Sequence, residues 1–183
     1  MKTALFLADG FEEIEGLTVV DVLRRAKIVC DMISTEDDLE INGSHGIKIK
    51  ADYMISEINF DEYDCMILPG GKVGTQRLEA NQYLLKRLDE YINADKLVCA
   101  ICAAPTILGH KGYLNGKEAV CYPTLEAELA GANVPAKEVA HDGNIITSRG
   151  MGTSIAFAGE IVKTILGEET VDELLKSLVY KQF

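Results

Sequence analysis

The run Leu97-Val98-Cys99-Ala100-Ile101-Cys102-Ala103-Ala104-Pro105 decides the fold. Its first five residues form an unbroken apolar stretch, the pattern of a strand buried on both faces. The small residues and the proline that follow open a helix reaching about His110. A buried strand passing directly into a helix is the unit from which parallel sheets covered by helices are built.

The same alternation runs outward in both directions. Residues 3–8 read as a buried strand, and 16–26 as a helix with Leu17, Val20, Val22, Leu23 and Ala26 at helical spacing. Residues 28–33 read as a strand, followed by a hairpin turning at Asn42-Gly43 between 39–41 and 46–50. A strand over 64–68 stops at Pro69-Gly70-Gly71, an amphipathic helix spans 81–93, and the next strand is 96–101. Beyond the deciding run, the pattern predicts a short strand at 118–122, a short helix at 125–129 and a hairpin over 138–147 turning at Asp142-Gly143. Helices over 153–166 and 170–179 close the chain. The class is α/β: a mostly parallel sheet with helices on both faces, a three-layer sandwich, in one domain over 1–183.

Composition narrows the function. The 183 residues carry 18 Lys+Arg against 29 Asp+Glu, a net charge of −11. Nucleic-acid binding wants clustered cations, so neither nucleic acid nor an anionic membrane is an expected partner. No apolar stretch approaches the ~20 residues of a membrane span, and the N-terminal apolar run is too short for a signal peptide. Five cysteines at irregular spacing fit a reducing cytoplasm better than a disulfide framework.

Several motifs fail. The first strand lacks the G-x-G-x-x-G that holds a pyrophosphate, and Gly70-Gly71-Lys72-Val73-Gly74-Thr75 lacks Walker spacing. Cys99-x-x-Cys102 has no second ligand pair for zinc, and Cys99 falls inside the strand, where a small core residue belongs. No cofactor and no metal is expected.

Ligands of such sheets bind at the carboxyl ends of the strands, so the loops after 3–8, 64–68 and 96–101 are the informative ones. Cys102 stands at a strand-to-helix bend, the place of a nucleophile elbow. Helix N–H groups there favour a thiolate; an inert cysteine at a strand end is the other reading. Glu15, opening the first helix, can lean a protonated carboxyl against that sulfur, or serve with Glu12 and Glu13 as an ordinary acid at a helix N-terminus.

Five segments stand out: Asp9-Gly10-Phe11-Glu12-Glu13-Ile14-Glu15, Asp21-Val22-Leu23-Arg24-Arg25-Ala26, Leu68-Pro69-Gly70-Gly71, Ala100-Ile101-Cys102-Ala103-Ala104-Pro105 and Thr147-Ser148-Arg149-Gly150. Together they resemble the ThiJ/PfpI superfamily, in its branch of parkinsonism-linked protein deglycases. The resemblance implies a flavodoxin-like fold of the class I glutamine amidotransferase kind and a homodimer. It also implies Cys102 as an oxidation-prone nucleophile, Glu15 as its protonated partner, and the backbone N–H groups of Gly71 and Ala103 as an oxyanion site. Tyr122 stands where many members carry a histidine, and His45 where relatives carry an arginine that approaches the dimer-related site; both are auxiliary candidates. Arg149 reads either as an anion contact or as part of a capping loop. The peptidase branch has a histidine directly after the nucleophile, where this chain has Ala103; the glutaminase branch uses a downstream His-x-Glu, where this chain has His141-Asp142-Gly143. The implied activity is cofactor-free, cysteine-dependent conversion of methylglyoxal, glyoxal or their protein adducts. The implied partners are a small aldehyde or ketoaldehyde, or a glycated protein. The alternative is a redox-sensing or chaperone-like stress protein using the same thiol.

Overall fold

The structure is a computed structural model and describes residues 1–181. Nine strands and six helices follow one another as β1 Lys2–Leu7, α1 Glu13–Arg25, β2 Val29–Ser34, β3 Glu40–Asn42, β4 Lys48–Lys50, β5 Tyr53–Met54, β6 Cys65–Leu68, α2 Lys72–Ala80, α3 Gln82–Asn93, β7 Leu97–Ile101, α4 Pro105–His110, β8 Val139–Asp142, β9 Ile145–Ser148, α5 Ser154–Leu166 and α6 Glu168–Ser177. Seven of the strands form one sheet, ordered β5-β2-β1-β6-β7-β9-β8, in which only β8 runs antiparallel. β3 and β4 pair separately as a hairpin.

Period-two alternation divides the apolar strand residues between two cores. Phe6, Met66, Leu68 and Val98 pack with Leu84, Leu88 and Ile107 of α3 and α4 on one face. Leu5, Leu7, Ile67 and Ile101 pack with Val19, Leu23, Phe157 and Ile161 of α1 and α5 on the other. Because β1, β6 and β7 are neighbours, the loops at their carboxyl ends meet at one edge.

Four expectations need correction. Helix α1 begins at Glu13, so its first turn holds Glu13 and Glu15, acids that suit a helix N-terminus. The helix predicted from Ala103 begins at Pro105, with Ala103 and Ala104 forming a turn before it. α2 escaped prediction because Gly71 and Gly74 break its apolar pattern. Both are needed: a Cβ at Gly74 would lie 2.7 Å from the Phe11 backbone, and Gly71 holds φ +89°. The predicted strand at 118–122 is absent. The backbone of β9 is already paired on both edges by β7 and β8, so this segment reaches β9 only through a side chain, Val120 N–H to Thr147 Oγ1 at 2.9 Å, and Ala119 N–H bonds to Asn133 O at 3.0 Å.

Candidate active site

The bend after β7 places Cys102 in the left-handed region at φ +66°. A side chain there costs about 1–2 kcal/mol, so its surroundings must hold it. Its N–H donates to Ser148 O at 2.9 Å, and its carbonyl accepts from Tyr122 N–H at 2.7 Å. The other four cysteines are buried, whereas Cys102 is partly exposed.

Glu15 reaches Cys102 from the first turn of α1. It is 1% exposed, its carboxyl hydrogen-bonds the thiol, and its Oε2 accepts the Gly70 N–H at 2.9 Å. A Cβ at Gly70 would lie 2.4 Å from that oxygen and 2.5 Å from Cys102 Cβ, so only glycine lets the two side chains meet. Burial pushes the Glu15 carboxyl up to about 7, against the lowering effect of its bonds to Cys102 and Gly70.

The thiol does not sit in the purely thiolate-favouring field expected from a helix N-terminus. Burial, then the charge and hydrogen bond of Glu15, push it up to about 12, while the N–H groups of Gly71 and Ala103 pull the other way. The pair therefore gives up one proton near pH 7 and keeps the second to about 12, sharing a single negative charge over the range between. A thiolate forms here only while Glu15 holds the proton.

The N–H groups of Gly71 and Ala103 point toward the sulfur. Tyr122 is 51% exposed and lines the same cleft as Cys102. Within the chain, His45 sits on the β3–β4 turn against Glu13. Its Nδ1 lies 3.0 Å from Glu13 Oε2, and its own N–H donates to Glu13 Oε1 at 2.7 Å. Arg149 is exposed and faces a separate hollow beside Cys121 and Glu126. Cys99 is fully buried, its sulfur 3.7 Å from that of Cys65, so it pairs with its neighbour strand and not with Cys102. Sequence reasoning missed the Gly70 N–H and the backbone of Met151, which also hydrogen-bonds Glu15. The Pro-Gly-Gly stop after β6 was the available signal.

The cleft that opens from Cys102 measures about 530 Å³ and continues past Thr75 and Thr106 to His110. Burial would suit the arrangement to an uncharged electrophile: one shared negative charge, two converging N–H donors and a buried proton carrier.

A model of the DJ-1/PfpI family matches residues 1–164. Protein dj-1beta of Drosophila melanogaster is 35% identical over 181 residues, 97% of each chain. A protein of Pyrococcus abyssi named as a deglycase is 30% identical over 167 residues, 90% of this chain and 99% of that one. Arabidopsis thaliana DJ-1 homolog B is 36% identical over 172 residues, and this match spans only 39% of that relative's length. The solved structure of oxidized Toxoplasma gondii DJ-1 superposes with a TM-score of 0.94 at 32% identity, covering 98% of both chains.

Proposed function

The chain belongs to the DJ-1/PfpI family, and from that premise we propose that it is a cysteine-dependent, cofactor-free enzyme of the glyoxalase or deglycase kind. The observation that carries this reading is the buried Glu15 carboxyl hydrogen-bonded to the Cys102 thiol beside the Gly71 and Ala103 N–H groups. The deglycase name of the Pyrococcus relative supports the substrate class.

In this reading the Cys102 thiolate adds to the aldehyde carbon of methylglyoxal. The oxygen, held by the two N–H groups, takes the proton of Glu15 and a hemithioacetal results. The Glu15 carboxylate then removes the C1 hydrogen as a proton and returns it to C2, while the hydroxyl proton on O1 passes to O2. The product is a lactoyl thioester on Cys102. Water hydrolyses it to lactate and frees the thiol, so no external oxidant or reductant is consumed. The chain would act as a single domain, in a homodimer, in a reducing cytoplasm. Tyr122, at the mouth of the cleft, would donate a hydrogen bond to bound substrate in place of the family's histidine.

Lactate formation from methylglyoxal, followed by an enzymatic endpoint assay, tests this. Cys102→Ser and Glu15→Ala are each expected to abolish it. Full activity in the Cys102→Ser protein ends the proposal. A second reading, redox sensing, is favoured by Cys102 being the one cysteine not buried and by the oxidized state of the Toxoplasma structure. Mild peroxide would add two oxygens to Cys102 alone; oxidation spread over Cys30, Cys65 and Cys121 counts against it.

A further inference from the structure

Three segments leave Cys102 side by side. Gly71, Thr75 and Glu79 recur every four residues and share one face at and along α2. Thr106 and His110 do the same along α4, beyond the turn that holds Cys102, and the stretch from Tyr122 to Glu128 forms the third wall. Their contacts fix a common direction. At one end the N–H groups of Gly71 and Tyr122 meet Cys102. At the other, Glu79 Oε1 lies 2.5 Å from His110 Nδ1 and Glu128 Oε2 lies 2.8 Å from His110 Nε2. From Gly71 to Glu79, eight residues along α2, the wall covers about 12 Å. A small oxoaldehyde at Cys102 fills less than half of that length.

Two observations bear on what fills the rest. Thr75 is only 4% exposed, yet its hydroxyl has no partner among the described residues. Thr106, opposite it, donates to Ala103 O at 2.8 Å. Threonine in a helix has two accessible χ1 rotamers, so the Thr75 hydroxyl is a group for a ligand in the cleft to pair with. The second observation is charge. Glu12, Glu79 and Glu128 line the cleft against Lys72 and His110. Both His110 nitrogens are occupied by carboxylates, which leaves the imidazole nothing to offer an anion. Glu79 Oε2 and Glu128 Oε1 bond no described group, so each carboxylate keeps an oxygen free for a cation.

We propose that the far end of the cleft is a second subsite, in which Glu79 and Glu128 receive the ammonium or guanidinium end of an extended carbonyl substrate whose stem passes Thr75. This rests on the reading of Cys102 as the nucleophile, and it makes cationic oxoaldehydes and adducts better substrates than neutral ones of equal length.

The test compares kcat/KM for phenylglyoxals bearing a para trimethylammoniomethyl, hydroxymethyl or carboxylate group. The cationic probe is expected to exceed the neutral one about fivefold, as for one or two half-exposed charge contacts, with the carboxylate below both. In the Glu79→Gln/Glu128→Gln double variant the cationic-to-neutral ratio falls to about one, a change that mere loss of folded protein does not produce. Equal turnover of cationic and neutral probes by the unchanged protein overturns the subsite, as does a preference that survives in the double variant. If no phenylglyoxal is turned over, the chemistry at Cys102 has failed and the subsite is judged by benzyltrimethylammonium binding alone. Saturable NMR shifts at the Thr75 and Thr106 methyls, lost in the double variant, uphold it; their absence from the unchanged protein overturns it.

Discussion

At the scale of single residues, the site depends on an atom that is missing. Gly70 lets the Glu15 carboxyl and the Cys102 side chain meet because no Cβ stands between them. Gly70→Ala is expected to cost about 1–3 kcal/mol by overpacking and to slow Cys102 alkylation by about tenfold or more. Urea unfolding with an iodoacetamide assay reads both, and an alkylation rate within twofold of the parent contradicts the geometry. Glu15 makes a second prediction. Its carboxyl, ordinarily near 4.5, titrates near 7 in the fold. Between those values the folded state holds a proton that the unfolded chain has released. Stability therefore falls as pH rises through that window, by a few kcal/mol. Glu15→Gln carries no such proton, so its stability should gain on the parent from pH 4.5 to 7; parallel curves would refute this. Cys102 and Glu15 were legible in the sequence because their loops follow buried strands. The place of Gly70 was not, since it depends on two side chains arriving from distant segments.

At the scale of elements, the first turn of α1 explains why three acids of one type do different work. Successive residues turn by about 100°, so Glu12 lies between the rim of the cleft and the Ser44 hydroxyl, Glu13 points into the β3–β4 hairpin and Glu15 meets Cys102. Burial pushes the Glu13 carboxyl up, but the His45 side chain, N–H groups of Glu13 and His45, and the Ser44 hydroxyl hold it down at about 2. The hairpin loop is thereby tied to the helix. Glu13→Gln is expected to cost about 2–4 kcal/mol at neutral pH. That deficit should shrink as pH falls from 4.5 toward 2, where the parent loses the same charge. Chemical denaturation across pH measures it; a pH-independent difference contradicts the ion pair. Helical and strand periodicity exposed most elements in the sequence. It failed at α2, where tight approach to Phe11 demands glycine, and at 118–122, where strand-like residues bond to Asn133 and to the Thr147 side chain and not to a strand backbone. Neither cause is local, so neither shows in a window of sequence.

At the scale of the whole molecule, the strand order brings the ends of β1, β6 and β7 together and so assembles one site from three segments distant in the chain, those of Glu15, Gly70 and Cys102. The loops after β6 and β7 and the first turn of α1 carry the sulfur, the carboxyl and the N–H donors, while the cleft beyond them is drawn from α2, α4 and the loop after Tyr122. What the architecture sets is a pair of acids holding one proton between them from about pH 7 to about 12. The rate of Cys102 carboxamidomethylation from pH 4 to 10, in the parent and in Glu15→Gln, tests this most directly. The account predicts a rise near pH 7 that levels off well before pH 10 in the parent, and loss of that plateau profile in the variant. A rate that climbs without levelling through pH 10, or two identical profiles, would contradict it.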